Sequence, residues 1–72
     1  MDPNTMLVCC LLYLGCINSP QTYTNCEIKL IEQSHHSQVV AIESDPPTLS
    51  MVESAYGDEA DLVVIDLDPA CE

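Results

Sequence analysis

The chain has 72 residues, and its twelve acidic side chains against a single basic one give a formal net charge of −11. One small domain is the upper bound, and a domain of this size needs a disulfide, a metal or a partner to hold firmly. With Lys29 as the only Lys or Arg, nucleic acid and anionic membrane surfaces are disfavoured, since both are bound through arrays of basic side chains; a cation or a basic protein surface is favoured.

The first element is the apolar run Met6-Leu7-Val8-Cys9-Cys10-Leu11-Leu12-Tyr13-Leu14-Gly15-Cys16. It fits the hydrophobic region of a signal peptide, and it is too short for a stable membrane span, which needs about 20 apolar residues. The polar stretch 17–21 follows, with Pro20 placed to obstruct a cut after Ser19, so cleavage after Cys16 is expected. On this reading residues 1–16 are a signal peptide, 17–25 a linker and 26–72 a small acidic α/β segment of a secreted protein. Against it, residues 1–5 carry Asp2 and no basic residue, which leaves a second reading: a hydrophobic strand or helix of a protein in the cytoplasm or nucleus. Leu14-Gly15-Cys16 also resembles a lipoprotein box, with Tyr13 where an aliphatic residue belongs.

Cleavage there would remove Cys9, Cys10 and Cys16 and leave Cys26 and Cys71. In an oxidising compartment these two form one bridge closing a long loop, worth on the order of 4 kcal/mol; in a reducing cell they stay free thiols. No paired Cys-x-x-Cys spacing points to zinc.

Cys26-Glu27-Ile28-Lys29-Leu30-Ile31 alternates polar and apolar and predicts a strand with one wet face. Residues 32–37, including His35-His36, read as a polar connection; adjacent side chains on extended backbone point apart, so the two histidines do not share an ion. Val39-Val40-Ala41-Ile42 predicts a second, β-branched strand, stopped by Asp45-Pro46-Pro47. Leu49, Val52, Ala55 and Tyr56 recur at helical spacing, with Ser50 and Glu53 as a capping box and Gly57 as the stop. Leu62-Val63-Val64-Ile65 between acids then predicts a strand buried on both faces. The expected fold is α/β: a small, incomplete β-α-β unit with an additional N-terminal strand.

If those two strands lie parallel, Glu43 and Asp66 fall at their carboxyl ends, where open α/β sheets place ligands. Two carboxylates there would hold a hard cation weakly. No nucleophile with a matching base and no Gly-rich phosphate loop is present, so no enzymatic activity and no firmly held cofactor are expected.

Glu59-Ala60-Asp61-Leu62-Val63-Val64-Ile65-Asp66 resembles the Glu-Ala-Asp-Ala-Val-Thr-Leu-Asp stretch early in a transferrin lobe. Val40-Ala41-Ile42 is similar to that family's Val-Ala-Cys strand, Leu49-Ser50-Met51-Val52 to its Leu-Asp-Cys-Ile helix start, and Cys26 to the first cysteine of a lobe. The resemblance implies a truncated relative, akin to periplasmic-binding-type domains, in which Asp66 would inherit the position of an iron(III) ligand. Ile42 and Met51 stand where the family has disulfide cysteines, and the remaining ligands would fall beyond Glu72, so one carboxylate would hold iron weakly at best.

Val63-Val64-Ile65-Asp66-Leu67-Asp68 resembles a SUMO-interacting motif, with 39–45 as a second copy. It implies binding by β-augmentation through Val63, Val64, Ile65 and Leu67, the acids meeting a basic rim. The export reading gives instead a secreted acidic protein that meets a basic partner or a weakly held cation.

Overall fold

A computed structural model describes residues 3–71. Its element order is α1 (Pro3–Tyr13), β1 (Gln21–Thr24), α2 (Asn25–Ser34), α3 (His36–Glu43), α4 (Pro46–Ala60), β2 (Val63–Asp66) and a short 3₁₀ turn (Pro69–Cys71). The chain is therefore mixed α/β and mostly helical, with one small sheet among the described residues, in which β1 and β2 run parallel.

Residues 6–16 supply the centre of the core. Val8, Cys9, Cys10, Leu11 and Leu12 are consecutive and all buried, and five consecutive residues point all round a helix, so α1 is enclosed on several sides. It lies mainly against α4 and also against α3. Gly15 ends it at φ 77°, a left-handed conformation that favours glycine. The Cys16 N–H then donates to the Leu11 carbonyl at 2.9 Å and the Gly15 N–H to that of Leu12 at 3.1 Å, the paired bonds of a Schellman cap. The segment whose Leu-Gly-Cys end resembles a lipoprotein box is folded here as a capped helix terminus.

Residues 17–25, expected as a linker, contain β1. Its register sets Gln21 against Val63, Thr22 against Val64, Tyr23 against Ile65 and Thr24 against Asp66. The partner of β2 is thus β1, whereas the valine-rich run 39–42 was expected in that place. Tyr23, Val63 and Ile65 pack on the core from one face of the sheet. Since Val64 and Asp66 are exposed, β2 is half-buried and does not have two dry faces.

The predicted strand at 26–31 is α2. Thr24 is its N-cap: the Glu27 N–H donates to Thr24 Oγ1 at 3.1 Å, and the Thr24 N–H returns to Glu27 Oε1 at 3.3 Å. This capping box starts the helix by satisfying two backbone donors. Ile28 is then buried and Ile31 packs beside it, while Leu30, which the strand pattern turned inward, is 64% exposed.

The predicted strand at 39–42 is likewise helical, within α3. Val39 and Ile42 are buried and Val40 is exposed, so spacing of three places both large side chains on the core face, and tertiary packing outweighs the β preference of the run. His35 and His36 mark the α2–α3 junction, where a polar loop was expected. The His35 N–H is shared between the Ile31 and Glu32 carbonyls, and His36 Nδ1 pairs with Glu32.

The predicted helix is present as α4 but is longer at both ends. Asp45 is the N-cap residue, with Pro46 and Pro47 in the first turn, so Ser50 and Glu53 sit inside the helix rather than starting it. The helix passes through Gly57 to Ala60. Val52 and Ala60 are buried, with Leu49 and Tyr56 packed alongside, and Tyr56 meets Tyr13 of the α1 end edge-on, ring centroids 6.2 Å apart. Ala55, expected on this face, is exposed.

Burial raises the thiols of Cys9, Cys10 and Cys16. For Cys10, desolvation first and then Glu43, Cys9 and Glu53 push it from the ordinary 9.0 to about 11. A thiol whose pKa is higher folded than unfolded favours the folded state below pH 9, and that contribution fades as pH rises through about 11. Its size is on the order of 2 kcal/mol. Urea unfolding measured across this alkaline window should show Cys10→Ala losing stability less steeply than the parent chain; equal slopes would refute the assignment.

Candidate functional site

The two carboxylates expected to share a cation occupy different kinds of position. Asp66 ends β2 opposite Thr24. Glu43 ends α3, a helix, and so does not sit at the carboxyl end of a strand. Glu43 borders a cavity of about 430 Å³ together with Lys29, Glu32, Val39, Ile65 and Leu67, whereas Asp66 is not part of its wall. Alternation along β2 accounts for this, because Ile65 and Asp66 project to opposite faces. The topological premise that brought the pair together is not met.

Cys26 and Cys71 are bridged, their Cα atoms 5.5 Å apart, within the usual disulfide range. The bridge joins the first turn of α2 to the turn Pro69–Cys71 across a sequence separation of 45. It is compatible with a secreted protein. Among the described residues no helix is long and apolar enough to cross a membrane.

Asp68, read from sequence only as the closing acid of the β-augmentation motif, stands beside the bridge. Its backbone N–H donates to Asn25 Oδ1 at 2.7 Å and its carbonyl accepts from Asn25 Nδ2 at 3.3 Å. Its Oδ1 accepts from the Ala70 N–H at 3.0 Å, which leaves Oδ2 3.5 Å from Cys26 Sγ. A bridged sulfur has no proton to donate, so that last approach is a contact and not a hydrogen bond. No local pattern announces this arrangement, because Asp68 and Asn25 are 43 positions apart; the Asp-Pro step alone signals only a turn.

The residues proposed for β-augmentation divide by exposure. Val64 is 51% and Leu67 79% exposed, with Leu62 at 55% just ahead of the strand. Val63 and Ile65 pack against the core. The second copy of the motif is removed as a strand, since Val39 and Ile42 are buried in α3. The histidines are held within the helical layer: His35 Nδ1 lies 3.1 Å from the Ile31 carbonyl, and His36 pairs with Glu32.

Comparison with protein-family models, with curated proteins and with solved structures returned no match. The likeness to a transferrin lobe therefore rests on the quoted residues, and the strand it places at Val40-Ala41-Ile42 is part of α3. What the molecule itself offers is a bridged corner with a fixed carboxylate and, along β2, exposed apolar side chains among acids.

Proposed function

We propose that the chain is a non-enzymatic binding protein that takes an extended, basic segment of a partner along the outer edge of β2. The observation that carries this reading is the exposure of Leu62 and Val64 on the face that Asp66 shares, with exposed Leu67 just past the end of the strand, along a β2 that among the described residues is paired at one edge only. An unpaired strand edge presents backbone donors and acceptors to an incoming strand, the exposed branched side chains give it an apolar surface to lie on, and the surrounding acids select a basic rim. A net charge of −11 extends that selection over the whole molecule.

A peptide alternating Val and Lys is a direct probe, with a Val and Glu peptide as its control. Amide shifts across residues 62–67 should respond to the first, more weakly as salt is added, and not to the second. Val64→Ser combined with Leu67→Ser alters exposed positions only, so the fold should persist while binding falls at least about tenfold. Equal responses to both peptides, or none at residues 62–67, would reject this reading. For a chain kept reduced inside a cell, SUMO is a natural protein probe of the same edge.

A further inference from the structure

Three donor groups from two separated parts of the chain meet at one corner. One ligand atom each from Cys26, Asp68 and Cys71 lies within 4.8 Å of the other two, and all three residues are half-buried. The carboxylate is oriented before any ion arrives, because Asn25 fixes the Asp68 backbone and the Ala70 N–H occupies Oδ1. Oδ2 is left facing the sulfurs. A pocket of about 240 Å³ opens onto the pair, walled by Cys26, Lys29, Leu30, Gln33 and Cys71, so water, ions and small reductants can reach it.

The geometry points to a second state of this corner, in which reduced Cys26 and Cys71 together with Asp68 hold one zinc(II) ion. A dithiol supplies the step: it gives two electrons and two protons to the S–S bond and closes to its own disulfide. Zinc then displaces the two thiol protons to solvent and forms two Zn–S bonds and one Zn–O bond, with a pocket water in the fourth position. Bond lengths of about 2.3 Å to sulfur and 2.1 Å to oxygen at a tetrahedral centre place sulfur and oxygen roughly 3.6 Å apart. Cys26 Sγ and Asp68 Oδ2 are already at 3.5 Å, so that pair needs little movement, while the two sulfurs must separate to about 3.8 Å. Two thiolates with one carboxylate favour zinc over calcium or magnesium, which take oxygen donors. Three anionic donors so close together repel one another, and a divalent ion relieves that repulsion. Cys26 also sits in the first turn of α2, where the helix dipole favours its thiolate.

Cobalt(II) titration of the full chain tests the site. The chain is reduced with a phosphine that is then removed, and thiolate-to-cobalt absorption is followed together with circular dichroism. One equivalent of cobalt should give the charge-transfer band and be displaced by zinc; the bridged chain should give none. Cys26→Ala combined with Cys71→Ala, which retains Cys9, Cys10 and Cys16, should lose the band. Asp68→Asn, which retains both thiols, should weaken binding at least about tenfold. Should the reduced apo chain lose helical signal, cobalt should restore it, as metal binding and folding are then linked. A band that survives in the double-alanine variant, unchanged affinity in Asp68→Asn, or a reduced chain that neither binds cobalt nor regains helix with it overturns the proposal.

Discussion

A chain beginning at Ile17 is expected to show no cooperative unfolding transition by circular dichroism. Removing residues 1–16 takes away Val8, Cys9, Cys10, Leu11 and Leu12, five of the eleven buried residues among those described. Val8, Leu11 and Leu12 alone contribute about 5–9 kcal/mol at roughly 1.5–3 kcal/mol per buried side chain. Net stability near 0.05–0.15 kcal/mol per residue comes to about 4–11 kcal/mol for a chain of this length. The loss is therefore of the same size as the whole, and the core faces of α3 and α4, with Val39, Ile42 and Val52, would open to water. A truncated chain that melts sigmoidally at the parent's midpoint would show that α1 is dispensable. The experiment bears directly on export, since cleavage after Cys16 would yield the same truncated chain.

The second large effect belongs to the bridge. Replacing Cys26 and Cys71 together by Ala should cost about 4 kcal/mol, because the closed loop of 45 residues restrains the unfolded chain more than the folded one. That loop contains α2, α3, α4 and β2, so nearly the whole fold outside α1 and β1 is tethered by one bond. Urea titration should show a lower midpoint, and a steeper slope, since the unbridged chain exposes more surface on unfolding. An unchanged midpoint would mean that the two ends are held by packing and by the Asn25–Asp68 hydrogen bonds alone.

Some of this architecture is readable from local pattern. Leu49, Val52 and Tyr56 behind a Pro-Pro start announce α4, and Val63-Val64-Ile65 between acids announces β2; pairing the two cysteines that lie outside residues 1–16 anticipates the bridge. The helices α2 and α3 are harder, because Ile28, Leu30 and Ile31 satisfy both periods and Val39-Val40-Ala41-Ile42 is β-branched. Thr24 and Glu27, spaced as a capping box, are the signal that separates helix from strand at α2. No comparable cue exists for β1. Gln21-Thr22-Tyr23-Thr24 carries a single large apolar side chain, and its partner is a parallel strand 42 positions away, a relation no local window contains. A separation of 43 positions likewise hides Asp68 from Asn25. As for α1, an all-round apolar helix has the same composition whether lipid, a translocation channel or the rest of the protein covers it.

The burial of α1 under α4 also fixes an order of events at the ribosome. The helix that α1 needs is complete only at Ala60, 47 positions after Tyr13, an interval of roughly 2–10 s at ordinary rates of synthesis. For that time an oily helix travels without its main packing partner, open to any chaperone or targeting factor that recognises apolar segments. Whether it becomes the interior of this protein or a ticket to another compartment is then a race between capture and the arrival of α4, and slowing or speeding translation between codons 17 and 60 would shift the outcome.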